Sequence, residues 1–379
     1  MKKCENKCEV CNIHQLTYQK SVLNKQASID ALYSKYSKQI MPIIAASNPY
    51  NYRCKVIASF KSDRKNKVIS GIYQENSHNL ISISDCTIQN ETANAIIADI
   101  TRLAIKFRIP IYNEDKRMGL LRHVLVRVGY YSNEVLLCLV LGSDKFPSRR
   151  NFIKAIMQLH PEITTITSVV NNRKTSVVIE NEAKTLYGPG FIYDYIGDFK
   201  FKISTNSFYQ INPVQTKLLY DKAIELAEFT GNEVLVDAYS GIGTIGMIAS
   251  KHVKKVISVE LNKAAFLNAK SNIALNKLTN VSLINMDATK YLQKLSQQKA
   301  KIDVLILDPT RAGTTKEFLN AVDNLKIKKI IYVSCNPITQ VRDIKNIVNN
   351  YKIKYIQAVD LFPFTNHVET VVLMSRIEK

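Results

Sequence analysis

The chain has 379 residues, 46% of them apolar, enough for two or three domains and too apolar for a disordered or fibrous protein. Lys and Arg number 52 against 32 Asp and Glu, a net charge of +20 that favours a polyanionic partner, nucleic acid before membrane. The longest apolar runs, such as Val135–Leu141, fall well short of the roughly 18 residues a membrane helix needs. No secretory signal follows Met1, so a cytoplasmic protein with no membrane partner is expected.

Cys4, Cys8 and Cys11 crowd the first eleven residues, and Cys86, in Ser84-Asp85-Cys86, is a distant fourth. Seven cysteines without a secretory signal argue against a disulfide framework. Four thiolates hold either zinc or an iron–sulfur cluster, and residue types alone do not choose. Residues 15–40 predict a polar amphipathic helix ending before Pro42. From about 46 to 205, short branched runs (KVIASF, ISISD, HVLVRVGYY, EVLLCLVLG, KTSVVIE) surround one helical stretch, ETANAIIADITRLAIKF. This predicts an α+β domain whose topology stays open. Ten of the thirteen arginines lie before residue 206, and Arg grips phosphate bidentately. Arg53, Arg122 and Arg127 are candidate nucleic-acid contacts; Lys61, Arg64, Lys65 and Lys67 read better as a solvated loop tip. Cys54 and Cys138 read as core.

After residue 206 strands alternate with helices: EVLVDAY, KVISVEL, VSLINMDA, DVLILDP, KIIYVSC, then IKYIQAVDLF and VETVVLMS. That rhythm predicts a Rossmann-like, doubly wound, mostly parallel α/β sheet with its site at the carboxyl ends of the strands. Strand one ends in Asp237-Ala238-Tyr239-Ser240-Gly241-Ile242-Gly243, a single GxG turn that by itself is a weak signal. Strand two ends in Glu260, suited to ribose hydroxyls, and strand three in Asp287, placed to meet an adenine edge. This set suits S-adenosylmethionine better than NAD. Strand four ends in Asp308-Pro309-Thr310-Arg311, where methyltransferases acting on amines commonly carry an aromatic residue, so amine methylation is disfavoured. Strand five delivers Cys335, a candidate nucleophile whose bland alternative is an inert buried thiol. The last strand opens with Glu369, expected beside Cys335 unless it is a solvated strand edge.

Asp237–Gly243, DPTRAG, VSCNP and FPFTNHVETVVLMSR, with Asn206–Pro213, Gly119–His123 and Tyr52–Lys55, resemble the S-adenosylmethionine-dependent RNA uracil-5-methyltransferases over nearly the whole chain. The resemblance implies Cys335 as nucleophile, Glu369 as base, and Gln210, Tyr239, Gly241, Glu260, Asp287 and Asp308 as cofactor-binding residues. Similarity to the ribosomal-RNA members implies a [4Fe-4S] cluster on Cys4, Cys8, Cys11 and Cys86, with zinc as the alternative. The expected domains are 1–45 (cysteine segment and helix), 46–205 (RNA binding, contributing Cys86) and 206–379 (catalysis). The expected reaction is carbon-5 methylation of a uridine in 23S rRNA; a tRNA thymine-loop enzyme and a non-catalytic RNA-binding protein are the alternatives. Which uridine is modified, and the oligomeric state beyond a default monomer, stay open.

Overall fold

The computed structural model describes residues 8, 10–13, 15–63, 67–74, 77, 79–83, 85–175, 177–179 and 181–378. They fall into two units: 1–15 with 48–195 and 201–206, and 16–47 with 196–200 and 207–379. In chain order, α1 (Tyr18–Tyr33) and β1 (Ile40–Ile44) come first. The strands β2 (Lys55–Ser62), β3 (Val68–Tyr73), β4 (Leu80–Ser82), β5 (Leu121–Val128), β6 (Val135–Leu141), β7 (Ile163–Val170) and β8 (Lys184–Tyr187) follow. Helix α2 (Glu91–Lys106) separates β4 from β5, and α3 (Arg149–Leu159) separates β6 from β7.

In the first unit, β2 to β8 form one sheet in the order β4-β3-β2-β5-β6-β7-β8, antiparallel except for the β6–β7 pair, which α3 bridges as a crossover. Helix α2 starts at Asn90, whose side chain accepts from the Ala93 amide, and buries Ala93, Ile96, Ile97, Ile100, Leu103 and Ala104 at helical spacing. That stripe covers Val56, Phe60, Val124 and Leu137 of the sheet. Cys54 and Cys138 of this unit are buried, and burial pushes their thiols up to about 12 and about 11.

After the ribbon of β9 (Phe191–Ile196) and β10 (Phe199–Ser204), the second unit alternates α4 (Pro213–Ala227), β11 (Val234–Ala238), α5 (Thr244–Ala249), β12 (Lys255–Glu260), α6 (Lys263–Leu275), β13 (Val281–Asn285), α7 (Ala288–Gln297), β14 (Val304–Leu307), α8 (Lys316–Asn324), β15 (Lys329–Ser334), α9 (Pro337–Ile344), β16 (Tyr351–Val359) and β17 (Glu369–Arg376). Its sheet runs β1-β16-β17-β15-β14-β11-β12-β13, parallel except where β17 enters antiparallel between β15 and β16. Fully buried runs such as VLIL in β14 fit a sheet covered on both faces. The predicted α/β sheet is therefore present. Its far edge is β1, which pairs parallel with β16, Ile40 opposite Ile356. The 15–40 segment yields α1 only from Tyr18 to Tyr33, and Ile29 and Tyr33 join the core of this second unit. Among the described residues no helix is long and apolar enough to cross a membrane.

Candidate active site

The carboxyl ends of β11, β12, β14 and β15 and the start of β17 bring most of the predicted site residues to one edge of the second sheet. The turn after β11 takes Tyr239, Gly241 and Gly243 through positive φ. Tyr239 adopts φ +62°, a conformation costly for a bulky side chain, and is held by its hydroxyl on Thr314 Oγ1 (2.8 Å) and its ring against Phe318. Such strain needs a surround that enforces it. The Gly241 amide donates to Glu260 Oε2 at 2.8 Å, and the Asn262 amide donates to Oε1 at 2.6 Å, so Glu260 braces the turn. Asp287 caps α7, Oδ1 accepting from the Lys290 amide at 3.0 Å.

A cavity of about 70 Å³ opens under this turn, lined among others by Gln210, Tyr220, Asp237, Tyr239, Ser240, Gly241 and Asp308. Three of its groups were not named as site residues in the sequence, although Asp237 and Ser240 stand in the turn motif. Tyr220 hydrogen-bonds Gln210 and Thr244, and burial first, then Asp308 and Glu369, push its phenol up. Asp237 accepts from the Gly246 amide at 3.0 Å, yet burial pushes its carboxyl up to about 7. Ser240 Oγ is buried without a hydrogen-bond partner among the described residues. An orphaned hydroxyl in a polar cavity marks a place for a ligand. No spacing rule picks out Tyr220 or Ser240, because each matters only through what the fold brings to it.

The start of α9 fixes Cys335. Asn336 caps the helix, its side chain accepting from the Ile338 amide, and Pro337 occupies the first turn. Cys335 sits one residue ahead of that cap, half-buried. In the β15–β17 ladder Ser334 is opposite Thr370, so Cys335 and Glu369 flank the same end of it. Glu369 is buried, 2% exposed. Burial, and then the Glu369 and Asp308 carboxyls, push the Cys335 thiol up to about 11, while Arg311 pulls it down. Burial also pushes Asp308 up to about 7, and burial and Asp308 hold Glu369 well above the carboxylate range, again opposed by Arg311. Arg311 is exposed, with Nη2 3.5 Å from His367 Nε2. Helix α9 anchors its loop: Asn336 Nδ2 donates to Arg311 O (3.1 Å), Arg342 Nη2 donates to Ala312 O (2.7 Å), and Asp343 Oδ2 accepts from the Thr314 amide (2.8 Å). The arrangement can deliver a thiolate to an electrophilic carbon and receive a proton on a carboxylate beside it.

In the first unit, Cys8, Cys11 and Cys86 line one cavity of about 160 Å³ together with Arg53 and Gln89. Cys4 lies outside the described residues. Among the described residues no group of three or more His, Cys, Asp or Glu is gathered closely enough to hold a metal ion. Two arginines expected on RNA are interior instead. Arg122, 4% exposed, holds Glu114 bidentately at 2.8 Å twice, donates to Asn171 and stacks over Tyr112, while Arg127 is buried in β5. A guanidinium so enclosed is a packing element. Of the other candidates, Arg53 is half-buried in the cysteine cavity, Lys61 and Lys67 are exposed on β2 and before β3, and Arg64 and Lys65 lie outside the described residues.

A family model described as tRNA (uracil-5-)-methyltransferase matches residues 17–377. An uncharacterized RNA methyltransferase of Bacillus cereus (strain ATCC 10987) is 37% identical over 379 residues, covering 99% of this chain and 82% of its own. One from Oceanobacillus iheyensis is 37% identical over 97% of this chain and 81% of its own. Among solved structures, the tRNA (uracil-54, C5)-methyltransferase of Pyrococcus abyssi in complex with S-adenosyl-L-homocysteine superposes with a TM-score of 0.81 at 25% identity, covering 97% of this chain and 86% of that one. Matched from its first helix to its last strand, this chain belongs to the tRNA (uracil-5-)-methyltransferase family.

Proposed function

We propose that the protein methylates carbon 5 of a uridine in 23S rRNA, in the cytoplasm, with S-adenosylmethionine as donor and Cys335 and Glu369 as its reacting groups. The observation that carries the chemistry is the meeting of Cys335, Glu369, Asp308 and Arg311 at the strand ends beside the Gly241 turn. S-adenosylmethionine, when bound, supplies an electrophilic methyl group. Gln210, Tyr239, Gly241, Glu260, Asp287 and Asp308 are the residues to hold it, and the orphaned Ser240 hydroxyl gives a further polar anchor. Cys335 Sγ, as thiolate, adds to carbon 6 of uracil and so raises the electron density at carbon 5, the atom that would take the methyl group, with S-adenosylhomocysteine as the leaving group. Glu369, as carboxylate, then takes the carbon-5 proton, the carbon–sulfur bond breaks, and the thiolate is restored. A carboxyl held above its usual range is a stronger base for that proton once ionised, and Arg311 favours its ionised form. The target base must leave its stack to reach Cys335, as for other enzymes that act on ring atoms.

The choice of 23S rRNA rests on the cysteine segment. Similarity to the ribosomal-RNA members makes Cys4, Cys8, Cys11 and Cys86 the residues to hold a [4Fe-4S] cluster. Cys8, Cys11 and Cys86 line one cavity beside Arg53, which suits a group of net negative charge, although among the described residues they are not drawn together to ligand spacing. The cluster would fold the segment rather than move electrons, because the reaction is redox-neutral. Protein purified without oxygen is expected to show broad visible absorbance that a Cys8→Ser variant loses; a colourless protein with stoichiometric zinc would give the site to zinc. The tRNA reading has its own support in the Pyrococcus abyssi neighbour, which acts on uracil 54 of tRNA. Mass spectrometry of 5-methyluridine in rRNA and tRNA from a deletion strain separates the two. In vitro, Cys335→Ala abolishes methyl transfer and Glu369→Gln accumulates a covalent protein–RNA adduct that survives denaturing electrophoresis; a Cys335→Ala protein that still methylates would remove the mechanism.

A further inference from the structure

A second cavity of the first unit has no cysteine in its lining and is unused by the chemistry above. It is an open groove of about 630 Å³ between α3 and β8, lined by Arg149, Arg150, Lys154 and Lys184 over a floor of Ile153, Met157 and Leu186. Ile153, Met157 and Leu186 are half-buried and belong to the margin of the first unit's core, so the floor is fixed by packing. Of its four cations, only Lys184 has an ion pair among the described residues, to Asp144 at 3.3 Å, with both partners exposed. Arg149, Arg150 and Lys154 make none there, and among the described residues no carboxylate lines the groove. Strand β8 pairs with β7 alone and stands at the sheet's edge among the described strands.

Leaving three adjacent cations unpaired around a concavity costs self-repulsion that no fold requirement explains. Elsewhere in this unit buried Arg122 is paired with Glu114, so neutralising partners are used where packing needs them. Adjacent guanidinium forks suit phosphate oxygens, and Lys154 adds a point charge one turn along the same helix. An apolar floor between them suits the face of a base or sugar, and the volume falls in the range of pockets that take a nucleotide-sized group, roughly 300–1,000 Å³. We propose that the α3–β8 groove is a second RNA-binding site, gripping phosphates of the substrate RNA at nucleotides outside the target uridine. It rests on the reading that the substrate is RNA. Phosphate contacts of this kind position a strand and carry no sequence information, so the groove raises affinity without choosing the uridine.

The test compares the wild type with Arg149→Ala/Arg150→Ala/Lys154→Ala and with the charge-keeping Arg149→Lys/Arg150→Lys/Lys154→Arg. Binding of a labelled 23S rRNA transcript and of a labelled oligouridine is measured against salt, alongside S-adenosylmethionine affinity and melting temperature. The alanine variant is expected to bind both RNAs about tenfold or more weakly, with the slope of log affinity against log salt shallower by roughly one per lost contact. The charge-keeping variant retains the slope, and cofactor affinity does not change. Should the alanine variant melt early, Lys154→Glu, at an exposed helix position, takes its place with the same expected direction. Unchanged RNA affinity and slope would overturn the groove, as would loss of binding confined to anionic vesicles, which would make it a membrane-facing patch. A wild type that binds RNA through the groove yet methylates no uridine would sink the uracil reading and leave the groove standing. A wild type that methylates while the alanine variant binds RNA normally would do the reverse.

Discussion

Burial and two neighbouring carboxyls hold the Cys335 thiol near 11, so at neutral pH the free protein carries very little of it as the nucleophilic thiolate. Arg311 is the group on this chain that pulls the other way, and it does so at Glu369 too. Alkylation of Cys335 by iodoacetamide, followed on its own peptide by mass spectrometry, is therefore expected to accelerate steadily from pH 7 to above 10 in cofactor-free protein. The sign follows from the upward shift: the reactive form grows as pH climbs toward the raised value. Arg311→Gln slows labelling at pH 8, because the thiol loses its cationic neighbour; unchanged rates would assign Arg311 no electrostatic role. Cys335 and Glu369 were readable as candidates from chain order, since an antiparallel last strand beside strand five is what this sheet type builds. Their raised proton affinities were not readable, because these come first from burial, which only the folded chain produces, and then from Asp308, which arrives from a different strand.

At the scale of elements, the Asn-Pro pairs at 212–213 and 336–337 do the same local work. In each, Asn accepts from an amide of the first turn and Pro occupies the first helical position. Part of what reads as motif in the sequence is thus helix initiation. The loop after β14 shows the tighter constraint. Gly313 has φ +76°, and a Cβ there would fall 2.4 Å from Asp343 Oδ2 and 2.6 Å from Arg342 Nη2. Those two side chains are what anchor the loop to α9. Gly313→Ala is expected to lower kcat by about tenfold or more while leaving cofactor affinity within a few-fold, since it displaces Arg311 and leaves the Gly241 turn intact. Equal loss of both would mean a wider collapse. The first unit was less legible by nature: its strands are short and branched, and the parallel step from β6 to β7 depends on α3 lying across the sheet, which no local pattern encodes. The same holds for Arg122, whose partners Glu114 and Asn171 lie 8 and 49 residues away on segments that only the fold brings together, so a surface role was the natural expectation.

For the molecule as a whole, α1 is held to the rest of the second unit by a buried ion pair. Lys25 Nζ lies 2.6 Å from Asp360 Oδ1 and donates to Phe362 O at 3.0 Å, and Tyr18 Oη donates to Asp360 Oδ2 at 2.9 Å. Asp360 leads from β16 into the turn that delivers Glu369. Lys25→Ala leaves that carboxylate enclosed without its cation, and a loss of about 3–5 kcal/mol in unfolding free energy is expected. Chemical denaturation checks it, and a loss under about 1 kcal/mol would mean Asp360 is neutral or solvated in the variant. The helix itself was visible in the sequence, whereas its home was not: β1 contains Pro42, reads poorly as a strand, and pairs only as a sheet edge.

That edge pairing sets a schedule for synthesis on the ribosome. Ile40–Ile44 emerges early but its partner β16 begins at Tyr351, so the β1 ladder stays open while the whole inserted sheet of β2 to β8 is made and can close on itself. Translation halted in the helices after β11 would leave an apolar ribbon with unsatisfied amides, the kind of edge that seeks out other chains. Completion of the fold thus waits for the same closing stretch of chain that brings in Glu369.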